Sequence, residues 1–152
     1  MRKVYGDKVR IVWKNNPLGM HPFAMPAALA SMAAYEQGKF WEYHDVLFAN
    51  QAKFQRDQLL QYAKEVGLDV KRFEQALTAA QAKPAIDADV AEANSLGATG
   101  TPAFFVNGHY LSGNQPFEEF AQAINGELTR LKVPIPPAAV APAPAPAVKG
   151  GQ

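Results

Sequence analysis

Through most of the chain the apolar residues recur every three to four positions, the spacing of helices that bury one face; alternating or β-branched runs appear only near the two ends. The first such run, Val9-Arg-Ile-Val-Trp13, stops at Asn15-Asn-Pro17 and predicts a buried strand followed by a loop. Pro22 and Pro26 then bracket a turn and a helix start, and the Ala- and Met-rich stretch from Ala27 to Gln37 ends at Gly38. Phe40, His44, Leu47 and Phe48 repeat at helical spacing and predict a second helix. Asp57 is placed to cap a third, with Leu59, Leu60, Ala63 and Val66 on one side and Gly67 at its end. Asp69 is placed to cap a fourth containing Val70, Phe73 and Leu77, and Pro84 to open a fifth containing Ile86, Val90, Ala93 and Leu96.

The pattern changes at Thr101-Pro-Ala-Phe-Phe-Val106, where an aromatic run meets Asn107-Gly108 and then His109-Tyr-Leu111. Asn-Gly between two such runs is the strongest short hairpin signal, so two antiparallel strands are expected. Pro116 then opens a last helix with an apolar stripe of Phe117, Phe120, Ile124, Leu128 and Leu131. From Pro134 the chain becomes a Pro/Ala sequence that can neither continue a helix nor bury much, and residues 133–152 are expected to form a disordered tail or linker.

Composition narrows the reading more than it directs it. With 152 residues, 48% of them hydrophobic, the chain is long enough for one domain with a sizeable core. Its 15 Lys plus Arg and 14 Asp plus Glu are spread along the chain, so no footprint for nucleic acid or an anionic membrane is expected. No apolar run reaches the ~20 residues of a membrane span, and the start Met1-Arg-Lys-Val-Tyr-Gly6 does not read as a signal peptide. There is no cysteine, which removes disulfides, thiolate metal sites and a sulfur nucleophile from the chain's own chemistry.

Several segments together resemble the DsbA-like thioredoxin family: Tyr5-Gly-Asp-Lys-Val-Arg-Ile-Val-Trp-Lys14, Pro17-Leu with His21-Pro22, Gly38-Lys-Phe-Trp-Glu42, His44-Asp45, Leu47-Phe48, and Gly100-Thr-Pro-Ala-Phe-Phe-Val-Asn-Gly108. The resemblance covers roughly residues 4 to 132. It implies an α/β thioredoxin-like fold over residues 1–132 with a helical insertion at about 22–97, apparently without the fold's first, central strand. By the same resemblance Thr101-Pro102 is the cis-proline loop that faces substrate, with Thr101 offering its backbone to an extended peptide. The family's first strand and its Cys-x-x-Cys motif would lie just before Tyr5, so the chain is expected to be redox-inactive by itself. The strand that would then be lacking belongs between residues 9–13 and 103–106, and its loss leaves unpaired backbone that implies a partner chain, exchange between protomers, direct closure of the flanking strands, or loss of a stable fold.

Other chemistry finds less support in the residues. His21, His44 and His109 fall on a loop, a helix and a hairpin without ligand spacing, so no metal site is expected, and His44 is expected to pack beside Phe40 and Phe48. His44-Asp45 with Ser31 or Ser112 lacks the Gly-x-Ser-x-Gly turn of a hydrolase. Gly97, Gly100, Gly108 and Gly113 do not form a phosphate-binding pattern and read as turn glycines. Trp13, Trp41, Phe104 and Phe105 are expected in the core.

Two function classes remain in front. One is a segment of a thiol-disulfide oxidoreductase that keeps the Thr101-Pro102 side of the substrate surface; the other is a non-catalytic module that holds extended peptides or a partner chain. A glutathione-dependent isomerase, known among relatives of the fold, would need a serine upstream of Tyr5. No cofactor is expected, and the family resemblance points to the periplasm or cell envelope although no leader is evident in the chain.

Overall fold

The computed structural model describes residues 1–51 and 53–139 as a mostly helical α/β chain that divides into two compact units, Trp13–Thr101 and Met1–Val12 with Pro102 onward. The first unit consists of five helices: α2 (Ala24–Tyr35), α3 (Phe40–Ala49), α4 (Arg56–Glu65), α5 (Val70–Ala79) and α6 (Lys83–Ser95). Its core forms where the small face of α2, Ala30, Ala33 and Ala34, lets Tyr43, Leu47, Leu59, Tyr62, Ala63 and Phe73 approach closely. The Tyr43 hydroxyl, buried with its ring, donates to the Leu59 carbonyl at 2.9 Å, and burial pushes its phenol well above the ordinary range.

Helix ends in this unit follow the expected chemistry at some positions and depart from it at others. The Asp69 carboxylate accepts from the Arg72 N–H at 3.0 Å and caps α5 as expected. Asp57 does not cap α4: the cap position is Gln55, and Asp57 lies inside the first turn, where a carboxylate still faces the positive end of the helix dipole. Gln37 and Lys39, just past α2, bind the α4–α5 turn; Gln37 accepts from the Asp69 N–H at 2.9 Å and the Lys39 ammonium donates to the Val66 carbonyl at 2.6 Å. Segment 13–16 is clamped to α6. Asp89 accepts from the Asn15 N–H and amide at 3.0 and 3.2 Å and from Lys14 at 3.0 Å, while Asn16 donates to the Ala98 carbonyl.

The second unit joins both ends of the described chain. α1 (Arg2–Tyr5) and a 3₁₀ turn (Gly6–Lys8) precede residues 9–12, and β1 (Ala103–Val106), β2 (His109–Ser112), α7 (Phe117–Arg130) and a 3₁₀ turn (Pro137–Ala139) follow Pro102. β1 and β2 pair antiparallel in the register Phe104–Leu111 and Val106–His109. Asn107 and Gly108 both take positive φ, 47° and 93°, the geometry of the tight turn that Asn-Gly favours. The core of this unit is Tyr5, Ala121, Ile124, Leu128 and Ala139, with Val9, Val106, Phe117, Val133 and Ile135 packed against it. Order therefore continues through Ala139; residues 140–152 of the expected Pro/Ala-rich tail lie outside the described residues.

The structure corrects the sequence reading in three further places. Val9–Trp13 is not a buried strand: Ile11, Val12 and Trp13 are exposed, and no strand pairs with the run. β-branched residues favour extended backbone, but a ladder needs a neighbour, and none of the described residues supplies one. Trp13, Phe104 and Phe105 are each about two-fifths exposed rather than core, and Trp41 is only partly buried. The apolar stripes also end early, since Phe48, Leu96 and Leu131 at the helix ends are more than half exposed. A stripe at helical spacing says which side is apolar, while packing decides how far along that side is covered.

Candidate peptide-binding edge

The features that position Thr101-Pro102 and β1 come from the hairpin and from α7. Pro102 accepts from the Gly113 N–H at 2.9 Å, which makes it the first rung of the β1–β2 ladder. Hydrogen-bonded pairs alternate along an antiparallel ladder, so Phe104 and Val106 are the next residues bonded to β2. The N–H and C=O groups of Ala103 and Phe105 consequently point away from β2. That side of β1 is a free edge, since the described sheet contains only these two strands.

Side chains alternate in the same way. Phe104 packs edge-on to Phe120 of α7 with ring centroids 4.8 Å apart, and Val106 reaches the core. Phe105 and Tyr110 lie opposite each other on the other face, centroids 5.0 Å apart, and remain 41% and 45% exposed. Thr101 and Pro102 are both exposed immediately before this edge.

Glu127 of α7 ties down the turn, and sequence reasoning did not single it out. The side chain is buried, and it accepts from Asn107 at 2.9 Å and Arg130 at 2.7 Å, with the His109 ring 3.3 Å away. The bonds from Arg130 first, then from Asn107, lower its carboxyl to about 2. Only the Glu-x-x-Arg spacing on one helix was legible beforehand, and half of the cluster is 20 residues away on the turn.

A carboxyl depressed in the folded state from 4.5 to about 2 stabilises the fold fully above its unfolded value and loses that contribution as pH falls from about 4.5 towards 2. Glu127→Gln should therefore lower the melting temperature at neutral pH, with the difference from the parent shrinking below about pH 4.5 and vanishing only below about pH 2. Melting curves of both proteins across that range check it; a difference that persists unchanged at pH 2 would assign the effect to packing.

The three histidines do not meet. His44 sits among Trp13, Phe40, Trp41 and Phe48, with ring centroids 4.4–6.0 Å away, and contacts Asp45 at 2.9 Å. His109 is at Glu127, and His21 is exposed on its loop. Among the described residues no cluster of His, Asp or Glu suits a metal ion, and no helix is long and apolar enough to cross a membrane.

Residues 7–125 match the family described as the DSBA-like thioredoxin domain. The chain belongs to that family. A thioredoxin-like oxidoreductase from Silicibacter pomeroyi DSS-3 has a similar structure, with a TM-score of 0.70, 28% identity, and coverage of 78% of this chain and 68% of that one. The thioredoxin-like fold expected from the sequence is thus shown, in a DSBA-like chain that carries no cysteine.

Among curated proteins this DSBA-like chain is similar to Na(+)/H(+) antiporters. It is 42% identical to NhaA 3 of Salinispora tropica over 117 residues, 76% of this chain and 18% of that protein. It is 39% identical to NhaA 1 of Salinispora arenicola over 127 residues, 82% and 20% respectively. NhaA of Herminiimonas arsenicoxydans is 40% identical over 114 residues, 75% and 18%. The chain spans about a fifth of the length of these relatives.

Proposed function

We propose that this DSBA-like chain is a peptide-binding module that acts without redox chemistry of its own, holding extended polypeptide along Thr101-Pro102 and the free edge of β1. The observation that carries the reading is the edge itself: Ala103 and Phe105 present unpaired donors and acceptors beside the exposed rings of Phe105 and Tyr110. Main-chain pairing at such an edge supplies affinity for any extended segment, and the rings favour apolar side chains. With no cysteine, the chain has no thiolate to attack a disulfide, so binding should be indifferent to reductant.

The test is a fluorescence titration of a permanently unfolded, carboxymethylated polypeptide with the folded chain, with and without dithiothreitol. Equal binding in both is expected. Ala103→Pro removes an outward N–H without touching the ladder to β2, and should weaken binding roughly tenfold while the fold's circular dichroism is retained. Absence of binding by the parent protein would refute the reading.

The similarity to antiporters favours a second reading, in which the chain is a DSBA-like domain of a larger membrane transport protein and the peptide it holds belongs to that protein or its neighbours. Immunoblotting of native membranes with an antibody to this chain decides it. A membrane-bound band several times larger than 16.5 kDa supports the reading, and a free band at that mass refutes it.

A further inference from the structure

Within the helical unit, the N-terminal halves of α2 and α4 and the last turn of α5 enclose a cleft of about 290 Å³. Leu59, only 1% exposed, forms its floor, and the partly buried Pro26, Leu29, Phe54 and Leu77 form its walls. Phe23, Gln55 and Arg56, all exposed, complete the lining at the rim.

Two anchors fix the walls. The Arg56 guanidinium ties α4 to α5, donating from Nη2 to Glu74 and to Thr78, each at 2.9 Å. The Tyr62 hydroxyl donates to the Lys53 carbonyl at 3.0 Å and so holds the segment that carries Phe54. On α2, Pro26 presents a short ring where a longer side chain would fill more of the space. A cleft whose walls are already held loses little entropy when a ligand enters.

The lining decides the class of ligand. The volume is at the small end of the roughly 300–1,000 Å³ typical of ligand sites, which suits one or two fused rings and not a helix. Two phenyl rings, Phe23 and Phe54, in an otherwise apolar lining favour an aromatic body. Arg56 is the one charged residue of the lining, and Glu74 already balances it. An entering carboxylate or phosphate would therefore give up its hydration and add a second negative charge beside Glu74. The guanidinium still has donors to offer: both of its bonds leave from Nη2, so the N–H groups of Nε and Nη1 suit an uncharged acceptor.

We propose that this cleft binds a small uncharged aromatic molecule of one or two fused rings with a carbonyl acceptor, its rings against Phe54, Leu59 and Leu77 and its carbonyl at Arg56. The proposal does not rest on the peptide-binding reading, which concerns β1 of the other unit, and neither falls with the other.

The test is a fluorescence titration of the full chain with Prodan, an uncharged naphthyl ketone whose emission moves to the blue when it leaves water. A single saturable site is expected, from which methyl naphthoate displaces Prodan roughly tenfold more readily than naphthoate does. The methyl resonances of Leu29, Leu59 and Leu77 should shift as the site fills. Leu77→Trp occupies the cleft and should weaken binding roughly tenfold or more with the circular dichroism retained. Arg56→Met keeps the stem and removes the donors, so it should weaken Prodan roughly fivefold and leave naphthalene itself unaffected. If the tryptophan variant does not fold, the leucine methyl shifts of the parent protein decide. No saturable binding, or binding that moves the resonances of Phe105 and Tyr110 and none of these leucines, would overturn the proposal. Naphthoate binding as tightly as its ester would overturn it too, by assigning the cleft to an anion.

Discussion

Phe73→Ala should cost about 3–5 kcal/mol, the range for removing a fully buried aromatic side chain from a core that cannot collapse around the loss. Phe73 of α5 has no exposed surface, and its ring lies 5.3 Å from that of Tyr43 on α3. The walls of the resulting void are held from several directions. Asp69 fixes the start of α5, Gln37 and Lys39 fix the α4–α5 turn, and the Tyr43 hydroxyl is bonded to Leu59. Small domains have only about 5–15 kcal/mol in total, so this single change should remove a large share of it. Phe73→Leu keeps most of the volume and should cost about 1.5 kcal/mol or less. Urea unfolding followed by circular dichroism compares the two. An alanine variant within roughly 1 kcal/mol of the leucine variant would mean that the surrounding core closes over the cavity and that its packing is softer than the geometry implies.

How much of this was legible in the sequence depended on whether the information was local. The helix around Phe73 was read correctly because Asp69, Phe73 and Leu77 carry cap and periodicity within ten residues. The hairpin was read correctly because Asn107-Gly108 fixes both turn and register without outside help. Val9–Trp13 failed for the opposite reason: its residues favour extended backbone, but being a strand also depends on what runs beside it. The half-exposed Phe104 and Phe105 failed likewise, since aromatic composition announces apolar surface and does not say what covers it.

At the candidate site the same division holds. The family could be named from several segments taken together, and Thr101 and Pro102 entered as candidates only through that resemblance. The free side of β1 could not be assigned to Ala103 and Phe105 until the Gly113–Pro102 bond fixed the alternation. Glu127 was invisible because an acidic residue on a helix ordinarily faces water, and its burial follows only from where the turn places Asn107 and His109. Long-range polar anchors are the class of feature that a single sequence hides best.

Tyr5→Ala should have an effect of similar size on the other unit and, unlike Phe73→Ala, should reach the binding edge directly. Helix α1 has only four residues, too few to be stable through its own hydrogen bonds, so its order depends on Tyr5 as an anchor. That side chain is almost fully buried against Ala121, Ile124 and Leu128, and its hydroxyl donates to the Asn125 carboxamide oxygen at 3.0 Å. Asn125 in turn donates to the Ala139 carbonyl at 3.1 Å, so Tyr5 supports both ends of the described chain at once. Tyr5→Phe keeps the ring and loses the hydroxyl, at a cost of about 1 kcal/mol; Tyr5→Ala should lose about 3–5 kcal/mol. Val106 of β1 packs on the cluster to which Tyr5 belongs, so loss of the Tyr5 ring removes support from the strand whose free edge is proposed to hold peptide. In conditions where Tyr5→Ala remains folded, it should therefore weaken binding of the unfolded, carboxymethylated polypeptide roughly tenfold while Tyr5→Phe leaves it unchanged. Calorimetric titration of the three proteins measures this, and unchanged affinity in the alanine variant would show that the Tyr5 cluster does not position the β1 edge.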